Sequence, residues 1–321
     1  MEMNINTYYR NRLNDLEKQT YDALVPQWMH MYPEISVPGT AGTIKAATEA
    51  IHNDYSILFY VNYYSGNTMM LVPGLFNMPG TIKMKGQYLY DKDTARVLLD
   101  ECMNWGRAIT SRLPRSMSTL NKALWLFDVL TQNMVYSELE RYEAHTIVGV
   151  VKYNKAVCEG NASAYKFLCD LADIPCIMVT GTLDGGNHAW NMIWIDGEPS
   201  HVDVTDGVSG KGMGIARKCF LRNDEDMKIL GYSWVEPVIP KTRIHNLSNP
   251  LVRVSSKAEL KDTVRKMKAG DAITVVVNIP NQRNQKAINR LVAEAVYASA
   301  FPQSLKSVSY SANYKFLFIE K

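Results

Sequence analysis

The sequence predicts an α+β fold in which a helix that begins with a cysteine packs on an antiparallel sheet. It adds an N-terminal helical and strand region and a small C-terminal α/β domain. Three observations predict this. From Cys158 onward, Ala162, Tyr165, Leu168, Cys169 and Ala172 recur at helical spacing, and Ile174-Pro175 closes the run. Three β-rich runs follow, at residues 176–180, 188–195 and 201–204. Gly185-Gly186 and Asp196-Gly197 separate them, and Asp-Gly between apolar runs is a strong hairpin signal, so consecutive strands should be antiparallel neighbours.

The elements before the cysteine follow from caps and periodicity. Asn14 with Glu17 three residues on has the form of a capping box. Leu24, Val25, Trp28 and Met29 then recur at helical spacing, with Pro26 expected to kink the helix. A short helix is expected over 44–51. Residues 56–61 and 68–72 read as strands joined by a Ser65-Gly66-Asn67 turn, with Tyr60, Tyr63 and Tyr64 as strand packing. Helices are expected over 93–113 and 118–135. The first carries Val97, Leu98, Trp105 and Ile109 on its apolar side and is ended by Pro114; the second carries Ala123, Leu124, Phe127 and Leu130.

Past Pro240 the composition shifts. Ser256 with Glu259 marks another helix start, and Gly270 stands where a C-cap would. A strand over 272–279, a helix over 284–300 and strands over 304–310 and 314–319 complete the chain. The expected organisation is therefore an N-terminal α+β region at 1–114, a core at 115–239, a linker near 240–250, and a small α/β domain at 250–321.

Bulk properties narrow the function. The 321 residues are 46% hydrophobic and 21% charged, with a net charge of +3. This is an ordinary globular composition, without the basic excess expected of a nucleic-acid or membrane binder. The N-terminus lacks the basic start and apolar run of a secretory signal, and no apolar window has membrane length. A cytoplasmic protein is expected, although a mature secreted form would read the same. The five cysteines, at 102, 158, 169, 176 and 219, include no C-x-x-C pair, which argues against structural zinc.

Cys158, His188 and Asp203 carry the chemistry. Orphan N–H groups at a helix tip and a nearby imidazolium both favour a thiolate over a thiol. Cys158 should occupy such a tip, with its own N–H directed at a developing oxyanion. Gly160 and Ala162 keep the first turn open to close approach. A hairpin can set side chains from neighbouring strands together, here His188 and Asp203, so that the carboxylate orients the imidazole. A buried carboxylate in an apolar strand also requires a partner. His201 competes for the imidazole role and Asp206 for the carboxylate, the latter read as an exposed turn residue.

At these residues the chain resembles the transglutaminase-like superfamily, particularly its bacterial branch. The resemblance rests on Val157-Cys158-Glu159-Gly160-Asn161-Ala162, on His188-Ala189-Trp190-Asn191 and on His201-Val202-Asp203-Val204-Thr205, and it covers about residues 115–206. It implies a papain-like core with Cys158 as nucleophile, His188 as base and Asp203 as its orienter. It also implies an acyl-transfer enzyme that acts on an amide or peptide bond through a thioester at Cys158. Hydrolysis, as a peptidase or amidase, is favoured because it needs no second substrate site. The alternatives are a protein-glutamine γ-glutamyltransferase, which cross-links, or a catalytically idle peptide- or wall-binding scaffold. Asn161 stands where the branch usually has Tyr, Ala156 where Gly is common, and Asp206 where Trp is common. A second oxyanion donor is expected upstream of the nucleophile, with Tyr136 and Trp125 as candidates. Trp190 lines the acyl pocket or packs under the sheet. No cofactor or metal is expected, since no carboxylate-rich loop is present to hold calcium. The expected partner is a protein or peptide substrate, with no nucleic acid and no membrane, and the C-terminal domain is expected to recruit that substrate or to dimerise.

Overall fold

The computed structural model describes residues 3–63, 80–137, 142–211, 217–235, 251–268 and 271–277, and beyond these 279, 285–292, 294, 307–310 and 316–320. A short helix α1 (Tyr8–Arg12) leads into α2 (Asp15–Met29). Asn14 and Glu17 form the expected reciprocal cap, each side chain accepting the other's backbone N–H. Pro26 lies in the last turn and α2 runs on to Met29. Strand β1 (Glu34–Gly39) follows, then α3 (Ala41–Asp54), longer at both ends than periodicity suggested. Thr40 caps α3 from outside the apolar stripe, a signal that periodicity does not register. Strand β2 (Gly80–Lys85) returns antiparallel to β1.

Residues 56–61 do not form the expected strand. Leu58, Phe59, Tyr60 and Val61 are all buried. The backbone closes in turns, with Leu58 N–H donating to Tyr55 O and Val61 N–H to Leu58 O. A run buried on every side has no solvent face, so its lack of alternation was a warning against a half-exposed strand. Residues 64–79, including the expected strand at 68–72 and its turn, lie outside the described residues, as do the linker near 240–250 and Gly270.

Helix α4 (Lys92–Thr110) buries Ala95, Leu98, Cys102 and Gly106. This stripe leaves Val97 outside it at 56% exposure, contrary to expectation, with Trp105 and Ile109 at its margin. Helix α5 (Thr119–Asn133) starts at its Ser118 cap. Strand β3 (Val135–Tyr136) pairs in parallel with β4 (Lys155–Ala156) across a single 3₁₀ turn at Tyr142–His145 and α6 (Ile147–Tyr153).

Helix α7 (Cys158–Leu171) is the axis of the molecule, buried from Gly160 to Leu171. It packs on β5 (Cys176–Leu183) and β6 (Gly186–Ile195), and against α4, α5 and α6. Its one cationic side chain, Lys166, is neutralised internally by Asp170 at 3.0 Å. Strand β7 (Glu198–Val202) completes the expected antiparallel run. Both hairpin turns are Asp-Gly: Asp184-Gly185 and Asp196-Gly197 take positive φ at both residues, as a two-residue I′ turn requires. The sheet is finished by β8 (Phe220–Arg222) and β9 (Tyr232–Ser233), separated by α9 (Asp224–Ile229), and its order is β8-β7-β6-β5-β9.

One boundary differs from expectation where it matters. Strand β7 stops at Val202, and Asp203 is the N-cap of helix α8 (Val204–Gly210), accepting the Asp206 N–H. An aspartate followed three residues later by another acid is a helix start as readily as a strand residue, and the cap decided it.

The C-terminal residues form a separate sheet. Strands β10 (Leu251–Val254), β11 (Ala272–Val277), β12 (Ser307–Tyr310) and β13 (Phe316–Glu320) lie in the order β10-β11-β13-β12. Helix α10 (Lys257–Lys266), capped by Ser256, and the shorter helix at Gln285–Val292 accompany it. Leu260, Val264, Val275 and Leu317 are in its own apolar cluster. Contacts that tie it to the larger unit include Arg222 Nη2 donating to Thr274 Oγ1 at 3.2 Å, and Val276 in the cluster of Ile177 and Val179. Among the described residues, no helix is long and apolar enough to cross a membrane.

Candidate active site

Cys158 is the first residue of α7. Its predecessor, Val157, is extended and offers no capping side chain, so no cap competes for the first-turn N–H groups. The thiol is half-buried, against Ala162, Met178 and Ala189. The other four cysteines are buried. Burial pushes the Cys102 thiol up to about 12, and holds those of Cys169 and Cys219 well above the ordinary thiol value. Of the five thiols, Cys158 alone is open to an incoming group.

Gly160 explains how the helix tip reaches this position. A Cβ there would lie 2.3 Å from Ala144 O and 2.9 Å from Thr146 O. The 3₁₀ turn therefore presses its backbone on the first turn of α7, and Val157 N–H donates to Ala144 O. The expected close approach is real, and backbone makes it.

His188 is the third residue of β6, opposite Gly181 on β5. Its Nε2 lies 2.7 Å from Asp203 Oδ2, and Cys158 is near enough to add to the upward shift of the ring's pKa. Asp203 is fully buried. Its Oδ2 also accepts the Tyr232 hydroxyl at 2.6 Å, and Oδ1 accepts the Asp206 N–H at 3.1 Å. Burial alone would raise its carboxyl pKa, but His188 and these donors outweigh burial and hold it below the ordinary range. For His188, burial favours the neutral ring, yet the charge and hydrogen bond of Asp203, with Cys158 adding to them, push its pKa up to about 10. The arrangement keeps an imidazolium beside the Asp203 carboxylate and near the Cys158 sulfur.

The competing residues go elsewhere. His201 is buried, accepts Trp190 Nε1–H at 2.9 Å and faces Asp224 Oδ1 at 3.1 Å, with its pKa lowered by burial. Asp206 is not the exposed turn carboxylate expected; it sits in the first turn of α8, paired with Lys218 at 2.6 Å. Tyr136, on β3 opposite Ala156, is 45% exposed. Burial and then the charges of Cys158 and Asp203 raise its pKa, which puts its phenol in the same electrostatic neighbourhood. Trp125 packs against the main apolar core. Trp190 is fully buried, and His188 stacks on it at 6.0 Å between centroids, so it forms the floor under the imidazole and not the wall of a pocket.

Sequence reasoning missed three contributors. Tyr232 lies 29 positions beyond Asp203, and only closure of the sheet by β9 beside β5 delivers its hydroxyl. Asn161, a departure from the resembled motif, donates to Thr205 Oγ1 at 3.0 Å and so ties α7 to α8. Asn191 donates to Ala162 O at 3.0 Å and clamps the same helix to β6; its polarity in a buried strand was the available signal. Among the described residues, no group of three or more histidine, cysteine or acidic side chains is placed to hold a metal.

Residues 107–204 match the family model of the transglutaminase-like superfamily. No curated protein matches. Among solved structures, the chain is similar to a candidate cysteine protease from Cytophaga hutchinsonii, at 17% identity and a TM-score of 0.29 over 39% of this chain and 51% of that one. It is also similar to a TGase, at 10% identity and a TM-score of 0.32 over 70% and 62%. A third is the periplasmic domain of TgpA from Pseudomonas aeruginosa, at 16% identity and a TM-score of 0.27 over 42% and 59%. The chain thus spans about half the length of the first of these.

Proposed function

Through residues 107–204 the chain belongs to the transglutaminase-like superfamily, and on that premise we propose that it is a cysteine-dependent acyl-transfer enzyme acting on an amide or peptide bond. The observation that carries the reading is the imidazole of His188, hydrogen-bonded to the buried Asp203 at 2.7 Å, with Cys158 at the first turn of α7 close enough to add to the upward shift of its pKa.

In this reading the thiol proton already resides on His188 as an imidazolium, and the Cys158 sulfur attacks the substrate carbonyl carbon as a thiolate. The carbonyl oxygen becomes an oxyanion, which the Cys158 N–H at the uncapped helix tip stabilises, with the Tyr136 hydroxyl as the second donor. The imidazolium gives its proton to the leaving nitrogen, the C–N bond breaks, and an acyl thioester remains on Cys158. Water, deprotonated by His188, then attacks the thioester and releases the acid and the thiol. Asp203 holds the ring orientation and stabilises its charge throughout. We favour hydrolysis over amine transfer because water serves as the second nucleophile without a further binding site. No step calls on a metal or organic cofactor.

The test is intact-mass spectrometry after exposure to a panel of peptide amides. An acyl adduct that maps to Cys158, is lost in Cys158→Ala, and forms at least about a hundredfold more slowly in His188→Ala is expected. An adduct that persists in Cys158→Ala would remove the nucleophile from the reading. Including a labelled primary amine separates the two fates: its incorporation without release of free acid would reverse the preference for hydrolysis.

A further inference from the structure

The outer edge of β5 has one open step close to the thiol. The two-residue turn at Asp184-Gly185 makes Leu183 and Gly186 a hydrogen-bonded pair, so Gly181 and Val179 bond to β6 while the residues between them face outward. Thr182 is paired on that outer side with Ser233 of β9, and the Met178 C=O accepts the Tyr9 hydroxyl. Thr180 lies between the two, exposed and past the end of β9, and among the described residues its N–H and C=O have no partner. An unpaired strand edge is a template for another extended backbone.

This step adjoins the candidate active site. Thr180 stands opposite Ala189 in a non-hydrogen-bonded pair, and the Cα atoms of such a pair are about 4.5 Å apart. Met178, Thr180 and Ala189 share one face of the sheet, and Cys158 packs against the first and last of them.

Thr180 also lines a cavity of about 430 Å³, bounded by α1, α3 and the chain that leaves β9. That is within the range of ligand pockets, about 300–1,000 Å³. The lining is mainly apolar, with Leu13, Ala50, Val179, Val235 and the rings of Tyr9 and Trp234. Arg12 and Glu49 border it too, and their opposite signs leave no net charge to select an ion. Asn53 completes the polar side: its Nδ2 donates to Glu49 O, while its Oδ1 is buried with no hydrogen-bond partner among the described residues. An orphan acceptor beside an open strand edge suits a peptide N–H.

We propose that this cavity is a substrate subsite, in which an extended peptide pairs its backbone with Thr180 and places one bulky apolar side chain against Val179, Trp234 and Val235. Resting on the acyl-transfer reading above, this names the substrate class: a peptide with a large apolar residue within a few positions of the scissile bond.

The test needs neither turnover nor a known substrate. Five blocked pentapeptides carry a central cysteine activated as its 2-pyridyl disulfide, four with one phenylalanine at a different flanking position and one with alanine throughout. The Cys158 thiolate attacks the peptide sulfur, the S–S bond to pyridine breaks, and pyridine-2-thione leaves. The rate is followed by intact-mass spectrometry on the full chain and divided by that of the same peptide with free glutathione. Phenylalanine at one position is expected to outrun alanine by about tenfold, the scale of burying one large apolar side chain. Ala46→Trp, which fills the cavity from α3, should abolish that gain and leave the alanine peptide unchanged. Thr180→Pro removes an N–H that β6 does not use, and Pro is tolerated at such an edge. It should slow every peptide by about threefold to tenfold, the scale of one hydrogen bond, whatever its side chains. Equal normalised rates for all five peptides would overturn the proposal. So would an equal gain at every position, which is non-specific adhesion, or a gain that survives Ala46→Trp. Should Thr180→Pro fail to fold, the positional preference and Ala46→Trp decide the matter. An acyl adduct from peptide amides with no phenylalanine preference would sink this inference alone; a preference without any acyl adduct would sink the acyl-transfer reading alone.

Discussion

At the scale of single residues, Asp203 governs the behaviour of the imidazole. It is buried, it accepts from His188, Tyr232 and the Asp206 N–H, and it holds His188 protonated up to about pH 10. The leaving nitrogen can take its proton only from the charged ring. The second-order rate should therefore fall as pH rises through about 10. In Asp203→Asn the falling limb should move down toward the ordinary histidine value of about 6.5, because the charge that raised it is gone. A pH–rate profile of adduct formation measures this directly, and an unmoved alkaline limb would mean that another group controls it. The sequence marks Cys158, His188 and Asp203 as candidates by residue type and local setting, and the pairing of His188 with Asp203 is found in the structure. Tyr232 is not so marked, since nothing local distinguishes it from any other tyrosine on a strand.

At the scale of elements, position is set by backbone. The tip of α7 is held by the 3₁₀ turn and the start of α6, whose Ala144 and Thr146 carbonyls leave no space for a Cβ at Gly160. Gly160→Ala must push the tip away from that turn. A displacement approaching an ångström at a nucleophile costs about a hundredfold in rate. The expected outcome is thus a large loss of adduct-forming rate with secondary structure retained by circular dichroism; wild-type rates would show that the tip tolerates the shift. Elements with chemical punctuation were legible: the Asn14 cap, the cysteine-led helix and the Asp196-Gly197 turn. Elements defined by a distant partner were not. Strand β1 has no register without β2 about forty residues on. Residues 56–61 have the composition of a strand, but their backbone closes in turns and pairs only at a single bridge, Val61 with Tyr88.

At the scale of the whole molecule, stability and the candidate site share their charges. The sign follows from the shifts. His188 binds its proton more tightly folded than unfolded, so its contribution is complete below about pH 6.5 and is lost as pH rises through about 10. Asp203 is held below the ordinary carboxylate range, so its contribution is present above that range and lost as pH falls through its lowered value. The stability difference between the native protein and Asp203→Asn should therefore shrink from about pH 6.5 to about pH 10. Urea midpoints for the pair of proteins measure it, and a constant difference over that interval would dissociate the pair from stability. Elsewhere the N-terminal segment is bound by a buried acid: Asp54 accepts Tyr9 N–H at 3.1 Å, Arg10 N–H at 3.0 Å and the Tyr21 hydroxyl at 2.9 Å.

By itself the sequence determined the chemical inventory and its local settings: a cysteine leading a helix, and a histidine in a strand of an antiparallel run. These depend on short-range periodicity, caps and turn residues, which a chain carries in its own order. Only tertiary structure decided which imidazole meets which carboxylate, that Asp203 caps a helix instead of extending a strand, and that Glu159 meets His52 from a helix more than a hundred residues earlier. Those outcomes depend on how the sheet closes and how buried polar groups find partners, and both are settled by contacts between segments that local sequence does not encode.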